Sequence, residues 1–317
     1  MYIHEKVSLD ENVTLIAENG KCAVYKVKDA SGEGLMTCYG VFPGVILMYN
    51  DFHMEHCHSH IKPRTDLFCI DHCREGRIEW ELDNGACIYR EAGTLQFDTR
   101  EKHALNFNCP LRHYHGLTIN IFIDEAQEHL SASPDGFAVD LRGLRGKLCP
   151  GGWPSAMAAD KIPDFHFELL YTIHEPIRAP LSRIKILELL LYVDVLPAGN
   201  EFIKRPYFRK DQVDTIKAIE RFMTARPENH YTIAELSSRF KISITSMQRC
   251  FKGVYGSSIY AYMKAWRMNA AAVMLRQKNA SVITIAADFG YDNASKFAGA
   301  FKDVLGKSPR EYRKDMV

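Results

Sequence analysis

The feature that most constrains this chain is a pattern written twice in its last third. Thr232-Ile233-Ala234 returns as Thr284-Ile285-Ala286, Phe251-Lys252 as Phe301-Lys302, and Gly256 as Gly306. The interval is about fifty residues, too long for a small solenoid repeat and suited to a duplicated helical module. In the first copy Thr232 and Glu235 have the spacing of a capping box, in which hydroxyl and carboxylate each satisfy a backbone N–H at a helix start. Ile233, Leu236 and Phe240 fall on one face of the helix that follows, and Lys241-Ile242-Ser243 breaks it. In the next helix Ile244, Met247, Phe251 and Tyr255 have the spacing of a buried stripe, with Thr245, Gln248, Arg249 and Lys252 opposite. Two short helices joined by a tight turn, apolar behind and hydrogen-bonding in front, are the plan of a helix-turn-helix.

The second copy is predicted to start at a cap, Ser281, to run through Ile285 and Phe289, to turn at Gly290, and to continue from Asn293 with Ala294, Phe297, Phe301 and Leu305 inward. Its front is thinner, with Ser295, Lys296 and Lys302 as donors beside Ala298 and Gly299. Between the copies Ile259, Tyr262, Met263, Trp266, Ala270, Val273 and Met274 predict a helix with an apolar stripe. At about 1.5 Å per residue, a helix of about twenty residues is roughly 30 Å long. Successive major grooves on one side of a duplex are about 34 Å apart. Charge agrees with this plan. From Lys204 onward the chain carries 21 Lys+Arg against 10 Asp+Glu, a balance of +11, and the remainder holds 19 against 29. A basic back and an acidic front place nucleic-acid binding in the back.

Gln248-Arg249-Cys250-Phe251-Lys252, Gly290-Tyr291 and the closing Phe301-Lys302 to Gly306-Lys307-Ser308-Pro309-Arg310-Glu311-Tyr312-Arg313 resemble the AraC/XylS family of transcription regulators. The likeness covers the last third and carries both half-motifs in order. It implies a sequence-specific regulator of double-stranded DNA, often a homodimer, with RNA polymerase as a further partner. Within it Gln248 and Arg249 are the expected base readers, since Gln pairs bidentately with adenine and Arg with guanine. Thr245 and Ser246 support them, Lys252 suits a phosphate, and Asn293, Ser295, Lys296 and Lys302 form the second contact set.

The front of the chain has the texture of short strands: Ala23–Val27, Leu35–Val41, Val45–Tyr49, Leu67–Ile70, Arg77–Leu82, Ala86–Arg90, Thr94–Phe97 and Leu117–Ile123. Asp83-Asn84-Gly85 supplies a hairpin turn between two of them. Such spacing predicts a sandwich or small barrel, and the resemblance implies a cupin-like jelly roll that binds an effector. Helices follow, at Phe165–Ile173 and Arg183–Val195; the latter carries Ile184, Leu187, Leu191 and Val195 on one stripe, widened by Leu189 and Leu190. The expected fold class is thus α+β and multidomain. A sensing domain spans 1–123, a helical dimerisation region 124–196, a linker 197–211 and a double helix-turn-helix domain 212–317.

Aromatic and cationic residues that would hold a small organic effector are Tyr39, Arg64, Arg77, Trp80, Tyr89, Phe97, His113 and Tyr114. His56, His58 and His60 would point to one side of an extended strand, a donor set suited to zinc, copper, nickel or iron. The carboxylate that a metal-binding cupin places after its paired histidines is replaced here by Pro63 and Arg64. Cys69 and Cys73 are a weaker pair. The alternative function is therefore a metal-binding cupin, sensor or enzyme, with a regulatory DNA-binding tail; no Ser/His/Asp or P-loop pattern favours an enzyme, and no cofactor is expected. Nine irregularly spaced cysteines suggest a reducing compartment. With no membrane-length apolar run and no signal-peptide core in Met1–Asp10, a cytoplasmic protein is expected.

Overall fold

Apolar residues at every second position make the first part of the chain a sheet. Along Cys22–Asp29 the side chains of Ala23, Tyr25 and Val27 are buried, and those between them are partly exposed. The same logic builds Val13–Asn19 (β1), Cys22–Asp29 (β2), Gly32–Phe42 (β3), Val45–His53 (β4), His56–His58 (β5) and Leu67–Leu82 (β6). Ala86–Glu91 (β7), Thr94–Asp98 (β8), His103–Asn108 (β9), Tyr114–Phe122 (β10) and Ser155–Ala158 (β11) complete the set. The computed structural model describes residues 11–58, 65–82, 84–132, 137–162, 165–196, 208–277 and 280–314, in two units, Met1–Tyr207 and Phe208–Val317. The expected linker lies, as far as residue 207, outside the described residues.

In the first unit the order is β1-β2-β3-β4-β10-β6-β7, with β8 and β9 also beside β6, β11 beside β8, and β5 beside β9. The pairings are antiparallel. The path does not return to β1, so the hydrogen-bonded sheet does not close into the small barrel that was one of the two expected forms. One cause is β6, predicted as two strands and found as one. Its first ten residues pair with β10 and β8, and its last six with β7 and β9. Gly76, at φ +80°, makes the change of partner, because a Cβ there would lie 2.0 Å from the His113 carbonyl oxygen.

One sheet face carries Leu47, Phe68, Ile70, Leu95, Phe97, Leu117, Ile119 and Ile121. It packs on Ile123–Ser131 (α1), Leu141–Leu148 (α2), Phe167–Thr172 (α3) and Arg178–Val195 (α4). Of the stripe named on α4, only Leu187 is partly buried against the core, and the rest faces outward. Ile184, Leu191 and Val195 are 60%, 51% and 78% exposed, while Ser182, Ile186, Leu189, Leu190 and Val193 are buried. The helix is apolar over most of its circumference, so periodicity gives its pitch and leaves the packed face open.

The other face buries Tyr25, Cys38, Cys69, Cys73, Trp80 and Tyr114. It also holds a charged group that sequence reasoning missed. Asp71 accepts from Arg100 at 2.7 and 2.9 Å and from Thr118 at 2.7 Å, and its other oxygen lies 2.6 Å from Arg90 Nη2. Arg100 also reaches Asp98 at 3.0 Å, and Arg90 donates to Tyr114 at 3.1 Å. Burial opposes the charge of both guanidiniums, but Asp71 outweighs it and holds them protonated. Two arginines against two aspartates leave the group neutral as a whole.

The second unit is helical: Lys210–Thr224 (α5), Ile233–Phe240 (α6), Ile244–Tyr255 (α7), Ile259–Gln277 (α8), Val282–Asp288 (α9), Ala294–Leu305 (α10) and Pro309–Lys314 (α11). The helix that opens the unit is α5, with Val213, Ile216, Ile219 and Met223 buried. Its α8 has 19 residues, about 28 Å at the α-helical rise. The buried line on α8 is Ile259, Met263, Met268, Ala271, Ala272 and Leu275, and Val273 is exposed. Packing against α7 on one side and α9, α10 and α11 on the other buries Ile259 and Met263 of the predicted stripe and partly buries Tyr262, Trp266, Ala270 and Met274, while adding Met268, Ala271, Ala272 and Leu275 to the packed side. Arg267, buried on α8, donates to the carbonyls of Pro227 at 2.8 Å and Asn229 at 2.9 Å.

Candidate nucleic-acid interface

Two helix pairs carry the candidate interface, and each begins with a side-chain cap. Thr232 Oγ1 accepts from the Glu235 N–H at 3.2 Å while Glu235 accepts from the Thr232 N–H at 2.7 Å. That second bond holds the Glu235 carboxyl below its ordinary value. Lys241 ends α6 in the left-handed conformation, φ 52°, and Ser243 caps α7 two residues later. In the second pair Ser281 caps α9, Gly290 (φ +76°) makes the turn, and Asn293 caps α10 by accepting from Ser295 and Lys296 at 2.8 and 3.2 Å. Asn293, predicted as a DNA contact, therefore has its amide oxygen engaged at the helix start.

The back of α7 is locked by buried Met247, Cys250, Phe251, Val254 and Tyr255, and that of α10 by Phe297 and Phe301. Ile244, predicted in the same stripe, is exposed. Lying first in α7, it precedes the turn that meets the core. The front of α7 presents Thr245, Gln248, Arg249 and Lys252, all exposed, with Ser246 half-buried. Among the described residues the side chains of Thr245, Gln248 and Lys252 make no hydrogen bond or ion pair within the chain. Arg249 makes one contact, its Cζ lying 5.9 Å from the Phe208 ring centre. Phe208 is buried against Gly253, where a Cβ would lie 2.0 Å from the ring, so the absent side chain lets Phe208 sit beneath Arg249. The contact orients the guanidinium and leaves its five N–H donors free. On α10, Ser295, Lys296, Gly299 and Lys302 are exposed.

The family described as "Helix-turn-helix domain" matches residues 236–315. An AraC-like transcription regulator of Streptomyces antibioticus is 36% identical over 93 residues, 29% of this chain and 31% of that protein. The C-terminal domain is of the AraC/XylS family. The regulator ExsA of Pseudomonas aeruginosa is 26% identical over 146 residues, 46% of this chain and 51% of its own. The chain thus spans about a third of the length of the first curated relatives and half of ExsA. Among solved structures, the DNA-binding domain of AdpA in complex with a target DNA is 22% identical, with TM-score 0.31, covering 32% of this chain and 91% of that one. Fatty-acid-bound ToxT of Vibrio cholerae is 11% identical, with TM-score 0.33, covering 85% and 94%.

Outside the AraC-type domain, the predicted effector residues fall in separate places. Trp80 and Tyr114 lie in one apolar cluster, each touching Arg90. Phe97 is on the helix-packed face. Arg77 stacks on Tyr89 at 5.2 Å and pairs with Glu91 at 2.6 Å, while Tyr89 donates to Glu79 at 2.7 Å. Tyr39 packs edge-on against Tyr49 beneath Arg178, and His113 packs on His53. Arg64 lies outside the described residues. So do His60 and the side chain of His58; His56 Nε2 is 3.5 Å from Asp29. Cys69 donates to Asn120 at 3.3 Å, and burial pushes its thiol and that of Cys73 up to about 12, which makes both poor metal ligands. Among the described residues no helix is long and apolar enough to cross a membrane.

Proposed function

We propose that the chain is a sequence-specific transcription regulator in which α6–α7 and α9–α10 act as two helix-turn-helix motifs, α7 and α10 entering successive major grooves on one side of a duplex. The observation that carries this is the exposed, internally unpaired donor row of Thr245, Gln248, Arg249 and Lys252 on a helix whose back is fully packed. Buried donors of that density would each cost free energy, and exposed ones wait for a partner. Gln248 and Arg249 read bases, and Lys252, Lys296 and Lys302 meet phosphates. The N-terminal sheet unit takes the part of a cupin-like effector domain, with the Trp80, Tyr114 and Arg90 group as its most chemically mixed position. The exposed stripe of α4 supports a homodimer.

Selection of bound sequences from random duplex DNA tests the reading. The expected result is a motif with two half-sites whose centres are about one helical turn, 10–10.5 base pairs, apart. Absence of any enriched motif would overturn it. A thermal-shift screen of small metabolites tests the effector role, a raised midpoint being expected for the right ligand class.

A further inference from the structure

At one end of the sheet, where β4 runs out and β10 begins, three donor side chains converge. β4 and β10 pair with Tyr114 opposite Phe52 and His115 opposite Asp51, so His113 stands one place beyond, across from His53. Asp51 and His53 are two residues apart on one strand and share a face. His53 Nε2 is 3.1 Å from Asp51 Oδ1, and the His53 and His113 rings are 5.0 Å apart at 33°. One donor atom from each of Asp51, His53 and His113 lies within 4.8 Å of the others. From the strand on the other side of β10, Glu75 Oε2 approaches His113 Nε2 to 3.5 Å.

We propose that Asp51, His53 and His113 form a site for a divalent transition metal of the zinc class, with Glu75 beside it as a fourth donor. Bonds of about 2.0–2.2 Å in a tetrahedral shell put donors about 3.4 Å apart. The 3.1 Å and 3.5 Å separations already match that edge, and the wider ones close by side-chain rotation, which the exposure of Asp51 and His53 permits. Two imidazoles with carboxylate oxygen suit zinc, nickel or cobalt, and the lack of a thiolate disfavours copper(I). A plain pair of surface His–carboxylate contacts explains each distance singly. It does not explain why two imidazoles and a carboxylate bring one donor atom each to a common point with a second carboxylate beside them, which is the arrangement a single cation gathers. The site uses none of His56, His58 and His60, and it stands apart from the DNA-binding reading.

Isothermal titration of the chelator-treated full chain with zinc chloride tests it. One equivalent per chain is expected, with affinity at least about tenfold weaker in His53→Ala, in His113→Ala and in Asp51→Asn. His56→Ala should bind as the parent does. Cobalt(II) should give the visible absorption of a low-coordinate nitrogen and oxygen site, lost in His53→Ala. All four positions are on a strand end or turn, and circular dichroism checks that the variants fold. Unchanged zinc affinity in both His53→Ala and His113→Ala, or loss on His56→Ala instead, overturns the proposal.

Discussion

Arg249 and Lys302 are both exposed cations on the AraC-type domain, and they differ in what holds them. Arg249 lies over Phe208 and stands beside Gln248, an arrangement that fits the proposed reading of one base edge by its planar donors. Lys302 is a single ammonium near the end of α10. Arg249→Ala should therefore cost about 1–3 kcal/mol at one operator position and relax specificity there, while Lys302→Ala weakens all sequences alike. Fluorescence anisotropy on specific and random duplexes compares them, and equal losses on both DNAs for Arg249→Ala would remove it as a base reader. In the N-terminal unit the buried His72 couples stability to acid. It is stacked on Phe167 at 4.2 Å, with Nδ1 2.9 Å from the Tyr171 hydroxyl. Burial, aided by Arg74 and Arg90, brings its pKa down from 6.5 to about 4. The unfolded chain thus takes up a proton that the folded chain resists. The stability that comes from a neutral His72 is complete above about pH 6.5 and is lost as pH falls through about 4, on the order of 3 kcal/mol. Urea midpoints of the parent and His72→Gln from about pH 7 to about pH 4 should show the parent losing ground; a constant difference would refute it.

Among the elements, those whose chemistry is local were legible in the sequence. The capping box at Thr232, the cap at Ser281, the turn at Gly290 and the Asn84-Gly85 hairpin each depend on a few adjacent side chains. What escaped depends on contacts distant in sequence. The join of two predicted strands into β6 is made at Gly76 by the approach of His113, 37 residues later. The charged group of Asp71, Arg90 and Arg100 joins three strand regions, and each residue alone reads as surface. The donor face of α7 was visible because helical spacing alone separates it from the buried stripe; the effector candidates scattered because aromatic composition says nothing about which sheet face a residue takes. For α4 periodicity offered two faces and the structure buries the wider one. The exposed Ile184, Leu191 and Val195 then have a consequence for assembly. Leu191→Glu should shift the proposed dimer toward monomer in sedimentation velocity while leaving the fold intact, since the side chain is outside the core. A parent that sediments as a monomer, or a variant that still dimerises, would place the interface elsewhere.

For the molecule as a whole, a net charge of +1 conceals a basic back of +11 and an acidic front. The total would suggest indifference to a polyanion; the distribution restricts attraction to the AraC-type unit, while the remainder repels the duplex at low salt. Salt dependence separates these contributions. Each phosphate neutralised releases counterions, so the logarithm of affinity falls linearly with the logarithm of salt concentration, with a slope set by the number of phosphates met. Lys252→Ala and Lys302→Ala should each flatten that slope by about 1. Gln248→Ala should lower affinity at unchanged slope, because a neutral base contact releases no ion. Lys296 and Lys302 decide the two-helix grip: their helix offers few groups for base edges, so if α10 touches DNA at all the slope must register it. Slopes equal to the parent's for both Lys296→Ala and Lys302→Ala, beside a reduced slope for Lys252→Ala, would mean that α7 binds alone and that the second helix pair serves only to brace α8.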